Sequence, residues 1–124
     1  MVPSILLSIK QEYVEKILSG EKRYEFRRKL CKHEIDKIYI YATRPVQKVV
    51  AEAEVTGKLV GDKDEIWKWT KDFAGTDRYG YEKYFEGLSE AGAYCLGKVT
   101  KYEAGKELKD FGLSAGPRSF VYIK

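Results

Sequence analysis

The feature that most restricts the fold of this chain is the alternation of side chains in residues 47–57, QKVVAEAEVTG. Small apolar side chains occupy one face and charged ones the other: Val49, Ala51, Ala53 and Val55 against Lys48, Glu52 and Glu54. A period of two predicts a half-buried β-strand. Residues 36–42, DKIYIYA, are β-rich on both faces and precede Thr43-Arg44-Pro45, which predicts a central strand covered on both sides.

An amphipathic helix is predicted over residues 10–19, between an apolar strand at 5–9 and the charged segment 19–28, SGEKRYEFRR. Its apolar side chains recur at helical spacing: Tyr13, Val14, Ile17 and Leu18. Gly20 stands where a left-handed C-cap is needed. The charged segment then continues as a predicted strand, in which Tyr24 and Phe26 share one face and Glu25 and Arg27 share the other.

The second half of the chain predicts two further strands and shorter helices. Asp62 and Glu65 form a capping-box pattern that begins a helix. We expect Ile66, Trp69 and Phe73 to form its buried stripe and Trp67 to be exposed. The remaining predicted elements are a short helix around 81–86, a strand at 91–103 with a bulge at Gly97, a turn and short helix at 105–112, and a closing strand at 118–124.

This order of elements, β-α-β-β-β-α-(α)-β-β, contains few helices that could act as crossovers between parallel strands. It therefore predicts one α+β domain over residues 1–124 with a mostly antiparallel sheet. Short strands that must avoid exposed edges favour a small barrel or a strongly curled sheet, with helices over the open ends.

Composition excludes several classes of protein. No uninterrupted apolar run approaches the roughly 20 residues of a membrane-spanning helix, so no transmembrane span is expected, and without a signal-peptide pattern we expect a cytosolic protein. Cys31 and Cys95 lie in no CxxC motif, and His33 is the only histidine, so we expect neither a metal site nor a cofactor. The net charge of +4 permits an anionic partner without requiring one.

Three sequence blocks resemble the ASCH domain family, a branch of the PUA-like superfamily of small β-barrels. Gly20, Lys22, Glu25 and Arg27 match its G-x-K-x-x-E-x-R signature directly after the amphipathic helix, and YATRP (41–45) and PRSF (117–120) resemble two later blocks. The resemblance spans Ile5 to Ile123. It implies a domain that binds RNA or modified nucleobases in a cleft of the barrel, in a subgroup often described as RNA-binding or transcriptional regulators.

The resemblance also carries two enzymatic alternatives. One ASCH branch is similar to amidohydrolases acting on N4-acetylcytidine, whose supposed nucleophile is a threonine three residues after the motif lysine. Glu25 occupies that position here. A carboxylate cannot simply replace the hydroxyl, because acyl transfer to it would give a mixed anhydride. Other ASCH proteins are ribonucleases, an activity that does not map securely onto these residues.

The candidate ligand site centres on Lys22, Glu25 and Arg27. A carboxylate held between two cations can accept from a base amino group, while the cations face a phosphate or carbonyl oxygen. The competing interpretation is a surface ion pair worth about 0–1 kcal/mol. Further candidates are Lys10 as a phosphate contact, Tyr41 for base stacking, Thr43 and Arg44 as a pocket rim, and Arg118 and Ser119 for anion binding. Each of them also has a competing interpretation as a solvated, core or loop residue.

Three functions therefore remain open. The leading hypothesis is a non-catalytic module that binds RNA or a nucleotide in a basic cleft. The second is an enzyme, either a nucleoside amidohydrolase or a ribonuclease, with Lys22 and Glu25 as general acid and base. The third is a regulatory protein-interaction domain, since a fold does not fix a function. The oligomeric state is not predicted by the sequence.

Overall fold

Six strands and three α-helices make up the computed structural model, which describes residues 2–123. The strands are β1 (Ser4–Ile9), β2 (Tyr24–Phe26), β3 (Lys37–Ala42), β4 (Lys48–Asp62), β5 (Glu90–Lys106) and β6 (Phe120–Ile123). The helices are α1 (Gln11–Ser19), α2 (Lys63–Thr70) and α3 (Arg78–Tyr84), with 3-10 turns at Lys71–Phe73 and Leu108–Phe111. Within this range, no helix has the length and apolar character that crossing a membrane requires.

All six strands belong to one sheet, in the order β2-β5-β4-β3-β1-β6. Only the β1–β3 pair is parallel, and the other pairs are antiparallel. The predicted α+β class, the mostly antiparallel sheet and the flanking helices are therefore confirmed. In residues 2–123, β2 and β6 remain the two ends of the sheet, so the predicted barrel describes it only loosely.

The two longest strands, β4 and β5, extend beyond their predicted bounds and pair along most of their length. Ala53 pairs with Val99, whereas Val55 pairs with Leu96, so β5 contributes one extra residue between these pairs. This irregularity confirms the predicted bulge at Gly97. The closing strand is shorter than predicted, and its last predicted residue, Lys124, lies outside the described residues.

The periodicity of α1 correctly predicts both its length and its buried face. Val14 and Ile17 are buried against the sheet, where they join a core that includes Ile5, Leu7 and Ile40. Gly20 adopts φ +87°, and its N–H donates to the Ile17 carbonyl. This left-handed conformation ends the helix as expected, because glycine adopts it without a Cβ clash.

The predicted buried stripe of α2 is wrong in two of its three members. Ile66 is buried, but Trp69 is 72% exposed and Phe73 is 40% exposed. The α-helix ends at Thr70 and continues as a 3-10 turn, which rotates Phe73 away from the stripe. Trp67, predicted to be exposed, instead packs against the Tyr81 ring with the ring centroids 4.9 Å apart.

Two tyrosine hydroxyls hold the segment that follows β2. The Tyr94 hydroxyl accepts from the Cys31 N–H at 2.8 Å, and Tyr94 is fully buried. The Tyr122 hydroxyl accepts from the His33 N–H at 3.1 Å, where the backbone is exposed. The first hydrogen bond therefore satisfies a buried N–H group. The second satisfies an exposed N–H group, which water can reach.

We predict that Tyr94→Phe lowers the free energy of unfolding by about 1–3 kcal/mol, because it leaves a buried backbone N–H without an acceptor. The matched change Tyr122→Phe should cost at most about 0.5 kcal/mol, because water can replace the lost hydroxyl. Urea denaturation of both variants measures the difference. Equal losses would contradict the role given to burial.

Candidate functional site

A cleft of about 330 Å³ opens between α1, α3, β2 and the end of β1. Its lining combines aromatic rings, cations and a single carboxylate. The aromatic residues are Tyr13, Phe26, Tyr81 and Tyr84, the cations are Lys10, Lys22, Arg27 and Arg118, and the carboxylate belongs to Glu25. An apolar cavity with a few convergent polar groups is typical of small-molecule sites, and this volume lies near the lower end of their range of about 300–1,000 Å³.

Lys22 reaches the cleft because the chain turns sharply after α1. Its N–H donates to the Lys16 carbonyl, and its backbone forms an isolated antiparallel bridge with Ala74. Gly75 then crosses directly over the Lys22 side chain, where a Cβ would lie 2.8 Å from three of its carbons. Lys22 is therefore only 5% exposed, and its Nζ donates to the Ala74 carbonyl at 3.0 Å.

The strand predicted in the charged segment 19–28 is reduced to β2, but Glu25 and Arg27 still project together, as their alternation predicts. Both Arg27 Nε and Nη2 donate to Glu25 Oε2, at 3.1 and 3.0 Å. Arg27 Nη2 also donates to the Ser8 carbonyl at the end of β1, at 2.7 Å. The two side chains are 15% and 8% exposed, so this is a largely buried pair rather than a surface one.

The other carboxylate oxygen, Glu25 Oε1, is buried and has no hydrogen-bond partner among residues 2–123. Lys22 Nζ lies 3.8 Å from it, beyond hydrogen-bond distance. A buried acceptor without a donor costs free energy, so such groups are rare and call for an explanation. Because Glu25 lines the cleft, a bound ligand with an N–H or O–H group can supply the missing donor.

Burial shifts the pKa of several groups that line the cleft. It lowers the pKa of Lys22 below its ordinary 10.5, although the charge of Glu25 opposes the change. Burial raises the pKa of Tyr81 to about 12 and also raises that of Tyr84. Both phenols therefore stay neutral near pH 7, while Lys22 gives up its proton more readily than an exposed lysine.

Six of the nine predicted site residues line the cleft: Lys10, Lys22, Glu25, Arg27, Thr43 and Arg118. The structure does not bring the other three to it. Tyr41 is 6% exposed and packs in a separate core with Leu6 and Val49. Arg44 is exposed in the turn after β3. The Ser119 carbonyl accepts from the Ser8 N–H, and the neighbouring residue Arg118 lines the cleft in its place.

Sequence reasoning missed the aromatic lining of the cleft. Tyr81 and Tyr84 belong to α3, which spans Arg78–Tyr84 rather than the predicted 81–86. Their spacing of three residues places them on neighbouring positions of one helical face, a signal that the glycine-rich surroundings obscured. Phe26, which shares the opposite face of the predicted strand with Tyr24, packs against Tyr81 and also lines the cleft.

Residues 2–123 contain no group of three or more His, Cys, Asp or Glu side chains placed to hold a metal ion. The polar side chains that line the cleft belong to lysine, arginine, glutamate, serine, threonine and tyrosine residues.

The family model described as the ASCH domain matches residues 7–103. This chain belongs to the ASCH domain family. The predicted resemblance is therefore confirmed, and its signature residues Lys22, Glu25 and Arg27 are the polar centre of the cleft.

Solved ASCH structures share the whole fold. The crystal structure of ASCH from Zymomonas mobilis superposes with a TM-score of 0.88 at 28% identity, covering 98% of this chain and 87% of that one. A tyrosine-to-phenylalanine mutant of the Zymomonas protein gives the same TM-score at 27% identity, covering 98% and 90%.

Curated relatives carry the sequence within longer chains. A Zymomonas mobilis protein named ASCH domain-containing ribonuclease is 35% identical over 73% of this chain and 62% of its own length. Two Ureaplasma parvum proteins also match: one named ATP synthase subunit alpha, 32% identical over 98% of this chain, and one named large ribosomal subunit protein uL22, 28% identical over 84%. This ASCH chain spans only 15% and 33% of their lengths.

We predict that Arg27→Ala lowers the free energy of unfolding by about 3 kcal/mol, because it leaves the buried Glu25 carboxylate without its two donors. The double variant Arg27→Ala/Glu25→Gln should recover part of that loss, because it removes the uncompensated charge. Chemical denaturation of both single variants and the double variant gives the coupling energy. Additive losses would contradict a buried, coupled pair.

Proposed function

We propose that this ASCH domain binds RNA or a nucleotide, with one base held in the cleft. The observation that carries the proposal is the buried, unpartnered Glu25 Oε1 beside two cations in an aromatic-lined cavity. Nucleobases present N–H donors next to carbonyl or ring-nitrogen acceptors, which is the complement of a carboxylate beside an ammonium group. The cleft therefore offers matching partners for one base edge.

The roles of the polar residues follow from the atoms they leave free. Glu25 Oε1 accepts an N–H of the base, because Oε2 is already occupied by Arg27. Lys22 Nζ uses one of its three donors on the Ala74 carbonyl and keeps others for a base acceptor. Arg27 orients the carboxylate rather than competing for the ligand.

The aromatic residues supply the apolar part of the binding free energy. Stacking of a base on an aromatic ring is worth about 1–3 kcal/mol and tolerates any base, because every base has a π-face. Two of these rings also contact the buried lysine, because Lys22 Nζ lies 4.8 Å from the Phe26 ring centroid and 5.4 Å from that of Tyr13.

The charge of the cleft also limits its ligands. Four cations and one carboxylate line it, so it favours a neutral base with an attached anionic group over a cationic ligand.

RNA is the polymer we favour because the Zymomonas relative is named a ribonuclease. A ribonuclease must contact RNA, and the sequence similarity of this chain to that relative makes RNA the first ligand class to examine. The name of a relative does not establish an activity for this chain. RNA binding and RNA cleavage are therefore two separate proposals.

We predict that Glu25→Gln weakens binding of ribonucleosides and short RNAs by about tenfold to a hundredfold. The amide oxygen would face Arg27, so its NH₂ group would meet the N–H of the base. A hydrogen bond to a charged group is worth about 1.5–3 kcal/mol, which sets that range. Isothermal titration calorimetry with the four ribonucleosides and with pentauridylate measures the change.

Glu15→Gln is the matched control, because Glu15 is exposed on α1 and does not line the cleft. It makes the same chemical change and should leave binding within a factor of two. Unchanged affinity in a folded Glu25→Gln variant would exclude the cleft as the site.

One observation favours RNA cleavage as a second candidate function. Burial lowers the pKa of Lys22, which lines the cleft beside Glu25. A lysine that readily loses its proton can act as a general base. The neutral amine would take the proton of a ribose 2′-hydroxyl, whose oxygen attacks the adjacent phosphorus and expels the 5′-oxygen, which takes a proton from water. The amidohydrolase alternative gains no comparable support, because residue 25 carries no hydroxyl.

For this second function, we predict that cleavage of single-stranded RNA rises with pH and levels off below pH 10.5. The plateau reflects the lowered pKa of Lys22, above which the amine is neutral and able to accept a proton. Lys22→Gln should abolish cleavage, whereas Lys29→Gln, on an exposed residue, should leave the rate unchanged. Cleavage that survives Lys22→Gln would exclude Lys22 as the base.

A further inference from the structure

Three polar residues at the mouth of the cleft lie at one end of three neighbouring strands. Lys10 follows β1, Thr43 follows the parallel strand β3, and Arg118 precedes the antiparallel strand β6. Backbone hydrogen bonds hold them together, because the Thr43 N–H donates to the Ile9 carbonyl and the Ser8 N–H to the Ser119 carbonyl, both at 3.1 Å. We call Lys10, Thr43 and Arg118 the basic rim.

Ser8 connects this rim to the floor of the cleft. Its carbonyl accepts from Arg27 Nη2 at 2.7 Å, and its hydroxyl donates to the Pro117 carbonyl at 2.6 Å, next to Arg118. Positive charge therefore runs from Arg27, beside Glu25, to the exposed side chains of Lys10 and Arg118. A group attached to a base at Glu25 would meet these cations as it leaves on the β1 side.

The groove on the neighbouring side of the cleft has the opposite charge. It shares Tyr13 and Thr76 with the cleft and lies between α1 and the residues that precede α3. Its lining contains four carboxylates and two amines: Glu12, Glu21, Asp72 and Asp77 against Lys16 and Lys71. One of those amines is already occupied, because Lys16 Nζ donates to the Gly75 carbonyl at 3.0 Å. We call this the acidic groove.

We propose that the phosphate joined to the bound nucleoside lies on the basic rim and that an RNA strand leaves the cleft over Lys10 and Arg118. The proposal rests on the proposed function and deepens it, because it makes the preferred ligand a phosphorylated nucleoside or a strand rather than a free nucleoside. The acidic groove repels a polyanion and so closes the other exit.

This arrangement separates recognition of the base from recognition of the phosphate. Buried groups with fixed geometry, Glu25 and Lys22, meet the base edge. Exposed, long side chains, Lys10 and Arg118, meet a phosphate through charge and carry no information about the base. The base contacts should therefore be insensitive to salt, and the rim contacts should weaken as counterions compete.

The test compares two double variants that lower the net charge equally. Lys10→Gln/Arg118→Gln removes the cations of the rim, and Lys29→Gln/Lys32→Gln removes two exposed cations that do not line the cleft. The probes are uridine, adenosine, their 3′- and 5′-monophosphates, and pentauridylate. Calorimetry at several salt concentrations gives each affinity and its salt dependence.

The rim variant should bind the nucleosides within a factor of two of the unmodified chain, but the phosphorylated probes about tenfold more weakly. The slope of log affinity against log salt for pentauridylate should flatten by about 0.7 for each phosphate that the rim no longer neutralises. The control variant should change none of the mononucleotide affinities by more than a factor of two. Glu12→Gln/Asp72→Gln should not weaken binding of pentauridylate, because both acids line the groove that the strand avoids.

The remaining outcomes contradict either the proposed function or only the inference about the basic rim. If the unmodified chain binds none of the probes, the proposed function fails together with this inference. If it binds them but the rim and control variants behave alike, or if nucleosides lose as much affinity as nucleotides, only the inference fails. Weaker pentauridylate binding in Glu12→Gln/Asp72→Gln would move the exit of the strand to the acidic groove.

Discussion

The contact from Arg27 to the Ser8 carbonyl and to Glu25 Oε2 is the interaction on which the rest of the site depends. In the sheet, β2 and β1 are separated by β5, β4 and β3, yet one arginine side chain joins them. The sheet must therefore curl until its β2 edge faces the end of β1. Side-chain hydrogen bonds bring these strands together where strand pairing does not, and the cleft is the space left between them.

Because of the same contact, the two oxygens of the Glu25 carboxylate have different roles. Oε2 is committed to Arg27 and so contributes to the fold, whereas Oε1 is desolvated and unpaired. Removing water from a carboxylate costs free energy that the Arg27 pair offsets only in part. In the proposed complex, a ligand that donates to Oε1 would recover this free energy as binding affinity. Lys22, also buried, would contribute to the proposed complex through its remaining donors.

The sequence is sufficient to predict what depends on local periodicity. The length of α1, its Gly20 C-cap and the shared direction of Glu25 and Arg27 all follow from side-chain spacing. Tertiary neighbours decide the rest. Tyr41 and Ser119 lie in recognisable motifs, but only the packing of β3 and the pairing of β6 turn them away from the cleft. Trp67 and Trp69 exchange their expected roles because the buried face of α2 combines Ile66 with Thr70 and Trp67 rather than with Trp69.

Position 25 also explains how one scaffold can serve different chemistries. A threonine there, which the resemblance assigns to the amidohydrolase-like branch of the family, would leave Arg27 without its carboxylate partner. With glutamate, Arg27 is held to β1 and the cleft presents a fixed acceptor instead of a nucleophile. The change from hydroxyl to carboxylate therefore alters both what the cleft can do to a ligand and what joins its two walls. A substitution that restored the hydroxyl would have to replace the structural role of Glu25 before it could acquire a catalytic one.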